Sequence, residues 1–172
     1  MSVDNAHIID GCRRHDRRAQ RALYDTFAPM AMGVCLRYVH DRDEAQDLLQ
    51  EGFVRVFEHI GKVRDPERLG AWIYRLMVNE CLKYYRRHER PQYIDEVLVD
   101  TALPPMDPFG TEEVMAALGK LTSAQRTAFN LVEVEGCTYE DAAGEMRCSE
   151  VNVRALLCRA KERLREELGV KS

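Results

Sequence analysis

The chain has 172 residues, 45% of them hydrophobic, and a formal net charge of −4. That length suits one medium domain or two small ones, the apolar content permits real cores, and mild acidity taken alone speaks against a nucleic-acid protein. The longest apolar run, residues 28–36, contains Pro29 and falls well short of the ~20 residues that span a bilayer, and no secretory signal is visible, so a cytoplasmic protein without membrane insertion is expected.

Six cysteines, Cys12, Cys35, Cys81, Cys137, Cys148 and Cys158, form no CxxC pair, and no histidine stands at zinc-finger spacing. Reduced structural thiols are expected, with no metal and no cofactor; redox sensing through Cys148 or Cys158 is the alternative. Charge is unevenly placed: residues 91–113 hold six acidic and no basic residues, which hides basic segments on either side.

In chain order, residues 8–21 read as a short helical segment rich in arginine: Arg13, Arg14, Arg17, Arg18 and Arg21. Such a run is ordinarily solvated, with a phosphate contact the alternative. A packing helix follows with Leu23, Phe27, Met30 and Val34 on one side, and Pro29 should bend or interrupt it. From Asp41 the residues Ala45, Leu48, Leu49, Gly52, Phe53, Val56, Phe57 and Ile60 recur at steps of three and four, one buried stripe of a helix capped by Asp41 and Glu44. The opposite side carries Asp43, Asp47, Gln50, Glu51 and Glu58, with Arg55 the basic residue among them, and makes a negative ridge.

Gly61 to Asp65 is a basic loop with Lys62 and Arg64, and the next helix starts near Pro66 and runs to about Arg87. At ~100° per residue, Arg68, Trp72, Arg75, Asn79, Lys83 and Arg86 fall within an arc of about 80°, while Leu69, Ile73, Leu76, Met77 and Tyr84 lie on a neighbouring face that can be buried. Cations with an aromatic platform suit phosphates and unstacked bases, and a carboxylate ridge suits a basic protein partner. Either face alone is ordinarily a solvated surface; the pairing is what points to function.

The run from Asp43 to Phe57 (DEAQDLLQEGFVRVF), followed by Ala71 to Asn79 (AWIYRLMVN), resembles domain two of bacterial RNA polymerase sigma factors, in particular the short extracytoplasmic-function group. The resemblance implies that Asp47, Gln50, Glu51 and Phe53 meet core RNA polymerase. It also implies that Lys62, Arg64, Arg68, Trp72, Arg75, Asn79, Lys83 and Arg86 meet the −10 promoter element as it is melted.

From Pro91 to Thr111 the composition shifts to four prolines and several acids, a linker with scattered apolar residues Tyr93, Ile94, Val97, Leu98 and Leu103. A helix from Glu112 to Leu118 follows. Thr122 with Gln125 reads as a capping box that opens a helix closed by Gly136, and Thr138 with Asp141 opens a short helix from Tyr139 to Met146. The turn Arg147-Cys148-Ser149 leads to a longer helix ending near Leu168, so the last two helices make a helix-turn-helix. On the long helix Val153, Leu157, Ala160, Leu164 and Leu168 can pack inward, leaving Val151, Arg154, Ala155, Cys158, Lys161 and Arg165 outward with Arg159 at the edge. That face can enter a major groove, where arginine reads guanine; an ordinary exposed helix is the even alternative.

Residues 136–154 are similar to sigma domain four, which binds the −35 element, and the resemblance implies DNA contacts from Arg154 and Arg159; Ala155, Cys158 and Lys161 join them as candidates from the outward face of the helix. Asn152, Arg147 and Leu156 depart from that pattern, standing where threonine, glycine and a basic residue are usual. The expected architecture is all-α: two small helical domains, residues 1–90 and 112–172, joined by a flexible linker at 91–111. The expected partners are core RNA polymerase and promoter DNA, with an anti-sigma factor left open. A DNA-binding regulator that does not join polymerase is the second reading, and it leaves the pairing within 41–90 unexplained. A helical scaffold is a third. Enzymatic function finds no phosphate loop, metal cluster or nucleophile motif to support it.

Overall fold

The computed structural model describes residues 4–89 and 111–170, and among these all regular structure is helical. The chain divides into two compact units, Met1–Cys81 and Leu82–Ser172. The expected linker, apart from Thr111, lies outside the described residues, as do its apolar residues Tyr93, Ile94, Val97, Leu98 and Leu103.

In the first unit the arginine-rich segment is two helices rather than one. Helix α1 (Asn5–Arg13) stops because His15 turns left-handed (φ 58°) and Asp16 then caps α2 (Arg17–Tyr38), its carboxylate accepting from the Arg18 amide at 2.8 Å. Pro29 sits inside α2 without interrupting it. The missing hydrogen bond and the clash of the proline ring with the preceding turn together cost about 3 kcal/mol, and burying Leu23, Val34 and Cys35 on the same helix offsets it at about 1.5–3 kcal/mol per large side chain.

Helix α3 (Arg42–His59) begins at Asp41, whose carboxylate accepts from the amides of Asp43 (2.9 Å) and Glu44 (3.0 Å). Its buried stripe is Ala45, Leu48, Leu49, Gly52, Phe53 and Val56. A β-carbon on Gly52 would collide with the Met77 thioether, so glycine here lets α3 and α4 (Leu69–His88) approach closely. Leu69, Ile73 and Met77 bury α4 completely along this side, whereas Leu76 and Tyr84 are only half-buried.

The second unit holds α5 (Thr111–Gly119), α6 (Ser123–Phe129), α7 (Tyr139–Met146) and α8 (Glu150–Glu167). The Thr122 and Gln125 box is complete: the Thr122 hydroxyl accepts from the Gln125 amide (3.2 Å) and the Gln125 side chain accepts from the Thr122 amide (3.1 Å). Helix α6 widens into a π turn, Asn130–Val134, and Gly136 (φ 70°) ends it. Leu118, Leu121, Phe129, Leu157, Ala160 and Leu164 form the core.

Arg126 is buried and donates to the carbonyls of Leu118 (3.0 Å) and Leu121 (2.9 Å), which satisfies the end of α5. Burial lowers its pKa. At the end of α7, Arg147 is left-handed (φ 53°) and the Cys148 amide reaches back to the Ala143 carbonyl at 3.0 Å. Glycine is the usual residue for that conformation.

Candidate nucleic-acid interface

On α3 the residues Asp43, Asp47, Gln50, Glu51 and Glu58 are exposed, on the side away from the buried stripe. Arg55 pairs with Glu58 at 2.9 Å, so it does not offset Asp43 and Asp47. Phe53 is a correction. It is 3% exposed and packs its ring on Tyr24 (centroids 4.6 Å apart) and near Phe57 (6.2 Å), so it supports the ridge from within and cannot itself touch a partner. Val54 is instead the apolar residue open on that side of the helix. It is 56% exposed, one turn beyond Gln50 and Glu51, and its signal in the sequence was its place on the ridge rather than on the apolar stripe.

The loop after α3 alternates. Val63 is buried while Lys62 and Arg64 on either side of it are exposed. Asp65 caps a 3₁₀ turn, Pro66–Arg68, accepting from the Glu67 amide (3.0 Å) and pairing with the Arg68 guanidinium (3.4 Å). Along α4, Arg75, Asn79 and Lys83 are exposed, as is Arg68 just before it, and Trp72 is half-buried among them. One helix face thus offers cations, an amide and an anchored indole. Arg86, which falls in the second unit, is engaged by Glu145 at 2.7 Å and is not an open cation in this structure.

Helix α8 corrects three of its five candidate readers. Ala155 and Cys158 are 2% and 1% exposed, and Lys161 is 6% exposed with its ammonium 2.7 Å from the Glu133 carboxylate. Small side chains such as Ala and Cys do not mark an outward face, because they are also among the residues most often buried, and here the middle of the helix is covered on several sides. Leu156 and Asn152 are buried as well. Arg154 stays exposed, its guanidinium 4.3 Å from the centroid of the Tyr139 ring, and Arg159 is half-buried. Val151 is 55% exposed beside them.

Four of the six thiols are shifted away from the thiolate form. Burial raises the pKa of Cys12, Cys137 and Cys148, and a hydrogen bond with Cys35 together with burial raises that of Cys81 further. The thiolate is the reactive form, so these shifts oppose redox chemistry at neutral pH. Cys158 is fully buried and Cys148 half-buried, so the exposure on which the redox alternative depended is absent at Cys158 and reduced at Cys148. Among the described residues no helix is long and apolar enough to cross a membrane.

A family model described as Sigma-70 region 2 matches residues 23–91, and one described as Sigma-70, region 4 matches residues 111–164. The chain is 29% identical to the RNA polymerase sigma-H factor of Pseudomonas aeruginosa, with 94% of this chain and 92% of that one covered. It is 32% identical to the ECF RNA polymerase sigma factor EcfG of Rhodopseudomonas palustris, covering 71% of this chain and 70% of that one. Among solved structures, the sigma factor RpoE of Bartonella quintana, in complex with the anti-sigma factor NepR, matches in fold at 23% identity, covering 88% of this chain and 98% of that one with a TM-score of 0.52. The chain belongs to the sigma-70 family, in its extracytoplasmic-function group.

Proposed function

We propose that three exposed surfaces divide the work of this sigma factor, which joins core RNA polymerase and directs promoter-specific transcription initiation. The ridge of Asp47, Gln50 and Glu51, with Val54 added, docks on a basic polymerase surface. The loop with Lys62 and Arg64 and the α4 face of Arg68, Trp72, Arg75, Asn79 and Lys83 bind the −10 strand as it opens. Arg154 and Arg159 at the start of α8 read the −35 element.

The observation that carries this reading is the exposure pattern of the first unit, where a carboxylate ridge on α3 and a cationic, indole-bearing face at α4 are both open to solvent. Physically, guanidinium and ammonium groups on phosphates supply affinity, and stacking on an aromatic ring contributes about 1–3 kcal/mol per base. That is on the scale of the few kcal/mol needed to unstack a base, so binding alone can favour the open strand. The role is one of binding, without bond chemistry of its own, and its setting is the cytoplasm, where polymerase and chromosome are.

An anti-sigma factor is a further proposed partner, of the class that accompanies the Bartonella protein; it would act by covering the ridge or the α4 face. The test is reconstitution with bacterial core polymerase and transcription from a promoter pool randomised at both elements. Enrichment of a two-element consensus supports the reading; DNA binding without polymerase association favours a free-standing regulator.

A further inference from the structure

We propose that Asn5 and Arg13 of α1 are positioning residues for the loop 61–68, holding its backbone in the shape that presents Lys62 and Arg64 to the −10 strand. The inference rests on the reading of that loop given above. Two side chains of α1 reach carbonyls in the loop, across 50 positions of sequence in one case and 61 in the other. The Arg13 guanidinium donates to the Val63 carbonyl at 2.8 Å, and the Asn5 amide donates to the Pro66 carbonyl at 3.0 Å. Arg13 is itself aimed: its other terminal nitrogen donates to the Asp10 carboxylate at 3.2 Å.

These bonds bear on the reading residues through peptide planarity. The Val63 carbonyl lies in one plane with the Arg64 nitrogen, and the Pro66 carbonyl in one plane with that of Glu67, so fixing each oxygen fixes the direction in which the chain leaves it. Val63 is pinned twice, by its buried side chain (5% exposed) and by its carbonyl, while Lys62 and Arg64 flank it and face solvent. The loop's own bonds are short-range: Val63 amide to Ile60 carbonyl (3.2 Å), Arg68 amide to Asp65 carbonyl (3.1 Å), and the Asp65 side chain on Glu67.

The platform behind the bonds is firm. Ile8, Ile9 and Cys12 are buried, and Gly11 lies so close to Ala19 of α2 that a β-carbon there would collide with the alanine methyl. Support therefore runs from α2 through α1 to the loop. A preorganised loop loses less freedom when it binds, which raises affinity and sharpens the distinction between correct and incorrect bases.

The test uses full-length protein reconstituted with core polymerase and a promoter pool randomised at the −10 element, with core affinity and melting temperature measured alongside. Arg13→Ala and Asn5→Ala should each flatten the −10 preference roughly fivefold, the scale of losing one modest hydrogen bond, while core affinity and −35 preference stay as they were. Arg13→Lys keeps the charge without the two-pronged fork and should recover part of the preference; if Arg13→Ala does not fold, Arg13→Lys and Asn5→Ala carry the comparison. An unchanged −10 profile in Asn5→Ala and Arg13→Ala, with or without a lower melting temperature, overturns the proposal by making the bonds merely structural. Lys62→Ala and Arg64→Ala are made in parallel. If these flatten the profile and the α1 variants do not, the inference alone fails; if they leave the profile intact, the loop reading fails and takes the inference with it.

Discussion

Lys161 separates the two roles open to a basic residue on α8. As a DNA reader its ammonium would have to be free for phosphate or base; in the structure the side chain is 8% exposed and sits 2.7 Å from Glu133. Removing one partner of a fully buried pair costs about 3–5 kcal/mol, but the Glu133 side chain is 37% exposed and can be rehydrated, which lowers the expected loss for Lys161→Met to about 1–2 kcal/mol. For a unit of this size that is a fall of roughly 5–10 °C in melting temperature. Glu133→Gln should cost more, because it leaves the buried ammonium without its carboxylate, and the double variant no more than that larger single one, because both remove the same pair. Thermal unfolding followed by circular dichroism measures this. Holoenzyme affinity for −35 DNA across a salt series measures the other role, since losing a phosphate contact lowers the salt slope by about one. The expected result is a lower melting temperature with an unchanged slope. An unchanged melting temperature with a shallower slope would refute the structural assignment and restore Lys161 to the DNA face.

Four further outcomes are expected. Asp47→Lys with Glu51→Lys should keep normal helical content and lose co-purification with core polymerase, because like charges across an interface cost several kcal/mol; a folded variant that still binds would sink the docking assignment. Trp72→Ala and Asn79→Ala should impair strand opening more than initial binding, seen by permanganate reactivity of thymines, whereas Arg154→Ala should lose about 1–3 kcal/mol of −35 discrimination with opening intact. Arg147→Gly should stabilise the protein by about 0.5–1 kcal/mol, because a left-handed arginine is strained and glycine is not, net of glycine's greater unfolded freedom; an unchanged or lower melting temperature counts against it. Burial, with Cys148 and Glu89 adding, raises the Tyr85 phenol from 10.0 to about 12. Its neutral form is the one favoured by folding, so this contribution is fully present below pH 10 and lost as pH rises through about 12. Tyr85→Phe should flatten that alkaline limb in urea-unfolding curves.

Features set by a few adjacent residues were legible in advance. Asp41, Thr122 with Gln125, and Thr138 each announce a helix start, since a cap depends on side chains within three positions of one another. The α4 stripe was legible because helical period alone places Arg75, Asn79 and Lys83 together. What failed depended on distant partners. Lys161 is tied to Glu133, and Phe53 to Tyr24, and no local pattern encodes either contact. Phe53 also shows resemblance and periodicity in conflict: the apolar stripe already placed it inward, and the packing agrees with the stripe. The left-handed turn at His15 was hidden because the residue there is not glycine, leaving Asp16 as the sole local sign that one helix ends and another begins.

The division of the chain at Cys81 also sets an order of events during synthesis. The buried side chains of the first unit run from Ile8 to Cys81 itself, and α1, α2 and α3 pack on their neighbours in sequence. Helical units with such local contacts fold in microseconds to milliseconds, whereas ribosomes add about 5–20 residues per second. The ridge and the cationic face therefore form seconds before α8 leaves the ribosome.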